Sequence, residues 1–246
     1  MKNLFPPLIV LFFAGNIFAA NVAMDFPAAN KFYAEGKFAE AAAGYEKILQ
    51  TGAASPALYF NCGNAEFKSG NLGKAVAAFR RAELLAPRDS EIRANLDFVR
   101  NQVEGATLRE SRWRDWLGQL TLNEWTMLTV IVFWLAFFLL AAKQICPALA
   151  PRLREATFAI GTLLIFSGAC LGLDAAKHFS KQAAVVVSPE TVARSGPFDE
   201  AQNAFAVHDG VELSVLDRHD DWIQVTDGSG KIGWLQTKQV DVLPGA

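Results

Sequence analysis

Residues 36–48 read Gly-Lys-Phe-Ala-Glu-Ala-Ala-Ala-Gly-Tyr-Glu-Lys-Ile, and residues 70–82 read Gly-Asn-Leu-Gly-Lys-Ala-Val-Ala-Ala-Phe-Arg-Arg-Ala. Gly36, Phe38, Ala41, Tyr45 and Ile48 fall on Gly70, Leu72, Ala75, Phe79 and Ala82 at a shift of 34 residues. Gly63 heads the second copy and Pro87 closes it. Small residues at 41 and 75 let helices cross closely, and an aromatic one turn later fills the space beside them. Such a period predicts repeated helix pairs, none of which can bury its apolar face alone. Stacked pairs leave a concave surface that suits another polypeptide.

The pattern resembles the tetratricopeptide repeat. Aligned on Ala41 and Ala75, the first repeat spans about 22–55 and the second about 56–89, within a domain of 22–105. Residues 90–102 begin like a third first-helix, with Ile92 and Leu96 at apolar positions, and are expected to cap the array. The resemblance implies that first helices line the groove, offering Asn30, Tyr33, Phe60, Asn64, Phe67 and Lys68 as candidate protein-binding residues. An amide such as Asn30 or Asn64 can hydrogen-bond an extended backbone from both its ends. Phe26 and Phe60 can equally be packing between repeats. Glu91 and Asn95 stand where a carboxylate clamp would need cations, so no such clamp is expected.

Composition places part of the chain in lipid. With 52% apolar residues and a mean hydropathy of +0.18, the 246-residue chain is too apolar for a wholly soluble protein. Residues 1–20, a lysine followed by an apolar run and a small-residue end, read as a signal peptide. Two further apolar runs, 122–142 and 156–173, are each about 30 Å long as helices and match a bilayer core. Between them, 143–155 carries three cations against Glu155 and reads as a cytoplasmic loop. Arg109, Arg112 and Arg114 flank the first span as well, so the signal peptide decides the orientation. Trp113, Trp116 and Trp125 fit an interfacial belt ahead of it. The expected topology is a multi-pass protein of the bacterial inner membrane, with residues 21–121 and 174–246 both on the periplasmic side. Gly161, Gly168 and Gly172 put small residues on the second span, and that face is expected to pack on the first.

From residue 184 the texture changes to short β-rich runs separated by turns such as His208-Asp-Gly210 and Asp227-Gly-Ser-Gly230. Six short strands in this length predict a small all-β barrel. Arg194, Pro197, Gly210, Trp222, Gly233 and Trp234 together resemble a bacterial SH3 domain over 184–243. Trp222 and Trp234 are read as core positions of that fold, and proline-rich recognition is not expected.

Several functions find no support. Residues 174–246 hold six Lys and Arg against eleven Asp and Glu, which argues against nucleic acid. His178, His208 and His219 have no metal-ligand spacing, and no nucleophile motif or phosphate loop occurs. Cys62, Cys146 and Cys170 fall in three environments under this topology, so no disulfide is expected. Neither an enzyme nor a cofactor is expected.

The whole layout of signal peptide, short tetratricopeptide array, two-span hairpin and C-terminal SH3 domain resembles the BatE-like proteins of bacterial aerotolerance operons. That resemblance implies an inner-membrane complex with von Willebrand A-domain proteins and a MoxR-type ATPase, linked to oxidative-stress tolerance or maturation of exported proteins. The modules themselves point to a non-enzymatic adaptor whose array and SH3 domain bind protein while the hairpin keeps them at the membrane. A second reading makes the SH3 domain a binder of peptidoglycan.

Overall fold

The computed structural model describes residues 25–105, 117–118, 120–178 and 182–243. The expected signal peptide and the tryptophans and arginines of 106–116 lie outside them. The described residues fall into two compact units, one made of 25–105 and 182–243 and the other of 117–118 and 120–178. The first unit is thus a single body interrupted in sequence by the second.

In the first unit, α1 (25–34), α2 (Phe38–Gln50), α3 (Pro56–Lys68), α4 (Leu72–Leu85) and α5 (Ser90–Arg100) follow one another. Gly36 and Gly70 turn the chain within each pair at φ +76° and +85°, with no atom of the other described residues within 4 Å of where a Cβ would stand. The backbone conformation, not crowding, therefore selects glycine there. Helix starts are built locally. Ser55 accepts the Leu58 N–H at 3.1 Å, and Pro56 occupies the first helical position, where its missing donor is harmless. Asp89 caps α5 through Glu91 and Ile92.

Ala41, Tyr45 and Ile48 of α2 pack with Leu58, Cys62 and Ala65 of α3 and Ala78 of α4 in one core cluster. Of the residues singled out at repeat spacing, Ala41, Tyr45 and Ile48 lie in this cluster, while Ala75 and Phe79 lie in the cluster shared with the strands.

After residue 182 come seven strands: β1 (Ala183–Val186), β2 (Glu190–Arg194), β3 (Asn203–His208), β4 (Glu212–His219), β5 (Trp222–Thr226), β6 (Ile232–Gln236) and β7 (Val240–Val242). All pairings are antiparallel, in the order β3-β2-β6-β5-β4-β1-β7. Two expectations change here. The sheet is not closed, so it is not the barrel that six strands suggest, and β7 is an additional strand. Closure is one way to bury an apolar sheet face. Here α4 and α5 cover part of it, since Val76, Val99 and Val103 share one core cluster with Val185, Val186, Val211 and Leu213.

Burial in β5 and β6 alternates, with Ile223, Val225, Gly233 and Leu235 inward. Trp222 and Trp234 take the alternate positions and are half-exposed on the outer face, contrary to their reading as core. The alternation correctly separates two faces, but the inner one is filled by the aliphatic residues.

The second unit holds α6 (Leu122–Ile145) and α7 (Arg154–His178), joined through a short 3₁₀ turn at Pro147–Leu149. Both are long and apolar enough to cross a membrane. They run past the expected spans, α6 to Ile145 and α7 from Arg154. Thr121 and Glu124 form a reciprocal capping box at the start of α6. Ser167, Cys170 and Asp174 are buried and lie three to four residues apart on one side of α7, and Cys170 packs with Trp125 of α6. Gly161, Gly168 and Gly172 do not face α6: beyond their own helix, no atom of the described residues lies within 4 Å of a Cβ built on any of them. The contact expected of them is made by this other side of α7.

Candidate binding surfaces

The helices expected to line the groove are α1, α3 and α5, and the structure divides their candidate residues into engaged and free. Tyr45 Oη donates to Asn30 Oδ1 at 2.6 Å, so one end of the Asn30 amide is already used. Tyr33 meets Phe38 edge-on at 5.2 Å between centroids. Phe60 meets Phe79 at 5.8 Å and Phe67 meets Phe98 at 5.6 Å, both edge-on. These aromatics are therefore helix-to-helix packing, although Phe98 stays 56% exposed and offers an apolar rim. Asn64 is half-buried with no hydrogen-bond partner among the described residues, and Lys68, one turn on, is exposed. Those two share one face of α3 and are the free polar pair.

A second feature lies between the helices and the sheet, at positions that the repeat pattern does not mark. A cleft of about 240 Å³ is lined by Glu46, Tyr59, Cys62, Glu66, Lys74 and Arg81 on the helical side and by Val187, Val240 and Asp241 on the other. The Glu66 side chain is 3% exposed, and its Oε2 accepts from Asn71 Nδ2 at 2.6 Å. Lys74 Nζ stands 3.6 Å from Glu66 and 3.1 Å from Glu46. Burial pushes the Glu66 carboxyl up, and the adjacent Glu46 adds to this against the pull of Asn71 and Lys74. The Cys62 thiol is pushed up to about 12, chiefly by burial, which keeps it protonated and a poor nucleophile.

Two ion-pair groups bind the sheet to the helices. Arg81 Nη1 donates to Asp241 Oδ2 at 2.6 Å while Nη2 takes the other carboxylate oxygen. The hydrogen bonds to Asp241 are the main reason that the Arg81 guanidinium is held above its ordinary value. Deeper in, Glu212 is 2% exposed and is gripped by Arg100 through Nε at 2.9 Å and Nη2 at 3.0 Å. Arg80 Nε adds an ion-pair contact at 3.1 Å to Glu212 Oε1, without hydrogen-bond alignment.

The third surface is the outer face of the sheet. Arg194 stands opposite Trp234, which stands opposite Gln224, while Trp222 lies opposite Gln236. Val192 and Ile232 are exposed apolar residues of the same face. Arg194 itself serves the fold, since its Nη1 donates to the carbonyls of Asp199 and Ala201 and holds the loop after Pro197. Gly233 lets β6 pass beneath neighbours, for a Cβ there would lie 2.8 Å from Ala193 Cβ and 3.0 Å from the Phe205 ring.

With this geometry in view, comparison with known families bears out both modules. The tetratricopeptide repeat family matches residues 32–96, and the bacterial SH3 domain family matches residues 187–241. Residues 97–186, which include both long apolar helices, fall outside the two matches. No curated protein matches the chain.

Proposed function

We propose that this protein is a non-enzymatic membrane adaptor, in which the helical array and the sheet hold protein partners while α6 and α7 keep both at the bilayer. The observation that carries this reading is the division of the chain: residues 25–105 and 182–243 belong to one compact unit, and the segment between them, which holds α6 and α7, interrupts it. Two membrane crossings between the halves of a folded unit return the chain to the side it left, whereas an odd number would part them. The signal peptide read at 1–20 favours the periplasmic side. Held at one membrane, partners of the two modules meet at raised effective concentration.

The binding surface within this reading centres on Asn64 and Lys68 of α3 with the exposed rim of Phe98. The resemblance to BatE-like proteins supplies the expected partners, von Willebrand A-domain membrane proteins and a MoxR-type ATPase system. Crosslinking in intact membranes, followed by purification of the full-length chain, tests the proposal. Capture of one or two membrane or envelope proteins, lost on Asn64→Ala with Lys68→Glu, is expected. Recovery of no such protein would overturn it.

The exposed Val192, Ile232 and half-exposed tryptophans on the sheet's outer face support a second reading, in which that face contacts peptidoglycan. Sedimentation of the detergent-solubilised protein with purified sacculi separates the two. The adaptor reading predicts that it remains in the supernatant.

A further inference from the structure

A tetratricopeptide array ordinarily ends in a helix whose outer face is polar. Here α4 and α5 end it with an apolar face instead, and what covers that face is the sheet. Val76, Phe79, Leu96, Val99 and Val103 belong to the same buried cluster as the strand residues. Strand β1 shows the consequence in its burial. Ala184, Val185 and Val186 are all 0% exposed, as a strand must be when both of its faces are covered.

Three close fits make the join specific. Gly73 of α4 touches the strand backbone, and a Cβ there would lie 2.0 Å from the Val186 carbonyl oxygen and 2.3 Å from Asp209 Oδ1. Gly210, at φ +85°, leaves no room beside Val103, since a Cβ would come within 2.6 Å of its Cγ2. Glu212 on β4 is nearly inaccessible and has Arg100 and Arg80 as its counter-charges. A carboxylate buried in that way is tolerable only while the arginines remain in place.

We propose that the sheet is the C-terminal cap of the helical array, and that helices and sheet fold as one cooperative unit rather than as two tethered modules. The array is then incomplete until residues 182–243, which follow α6 and α7 in the chain, have been brought back onto α4 and α5. Exposure of a finished groove on α1, α3 and α5 thereby depends on passage of the whole intervening segment.

Two substitutions in the full-length, detergent-solubilised protein test this by amide hydrogen exchange. Gly73→Ala has opposite expectations under the two views. Alanine favours an isolated helix over glycine, so independent modules predict unchanged or slower exchange in α4 and α5. A shared unit predicts exchange at least tenfold faster in α4, α5, β1 and β4 together, because the added methyl forces the strand away. Glu212→Gln keeps the side chain's shape and removes its charge, and it provides the same readout should the alanine variant fail to accumulate. It is expected to accelerate exchange in both the helices and the sheet. Acceleration confined to the strands, or no change in either variant, would overturn the proposal.

Discussion

Tyr45 on α2 donates its phenolic hydrogen to Asn30 on α1, 2.6 Å away, and so ties the second helix of the first repeat back to the first. Tyr45 is almost wholly buried, and burial pushes its phenol up to about 12, which keeps the donor protonated throughout the physiological range. Removing the hydroxyl in Tyr45→Phe retains the ring contact with Phe26 at 5.8 Å and loses only this bond. The expected loss is about 1 kcal/mol of stability, measured by chemical denaturation of the full-length protein. An unchanged midpoint would mean that the bond contributes no net stability.

The second repeat contains a tighter constraint. A Cβ on Gly63 would stand 2.9 Å from Cε1 of Phe79, whose ring is itself pinned edge-on to Phe60. Gly63→Ala gains roughly 1 kcal/mol of helix propensity but must displace a buried ring, at a cost of about 1–3 kcal/mol. Net destabilisation is expected, visible as a lowered thermal midpoint by circular dichroism. Phe79→Leu in the same chain should relieve part of it, because the clash is with the ring edge.

These features were legible because they are written locally. Gly36 and Gly70 mark turns, Ala41 and Ala75 mark crossings, and the 34-residue spacing repeats them. What could not be read is the docking of the sheet on the helices. Arg100 and Glu212 are 112 positions apart, and Arg81 and Asp241 are 160 apart, so neither pair leaves a trace in any window. Alternation in β5 and β6 likewise separates Trp222 and Trp234 from Ile223 and Leu235 without saying which set faces inward. The resemblance to the SH3 domain put the tryptophans in the core, whereas the covered interior is filled by aliphatic side chains.

Acid should favour one part of the array. The Glu66 carboxyl is raised above its ordinary value of 4.5, chiefly by burial, so the folded chain holds a proton there that the unfolded chain has released. The stability linked to this group is therefore fully present below 4.5 and lost as pH rises through the folded value. Glu46, Lys74 and Cys62 share its surroundings, and Asn71 can donate equally to a neutral amide. Glu66→Gln should flatten the decline in thermal midpoint above that pH and leave stability at pH 8 equal or higher. A midpoint that falls at pH 8 in the variant would show that the Lys74 pairing outweighs the burial of the carboxylate.

The polar pair on α3 separates binding from folding. Asn64 has no hydrogen-bond partner among the described residues and Lys68 is exposed, so neither Asn64→Ala nor Lys68→Glu removes a contact that supports the fold. Each should change stability by no more than about 0.5 kcal/mol, while partner yield after crosslinking falls several-fold if α3 lines the binding surface. Phe67→Ala is the contrasting case. It breaks the edge-on pair with Phe98 and uncovers the shared core beneath α3, so it should lower both the thermal midpoint and the yield. Equal yields from Asn64→Ala, Lys68→Glu and the unaltered protein would place the partner on another face, and the outer sheet residues Val192, Trp234 and Ile232 would be the next to test.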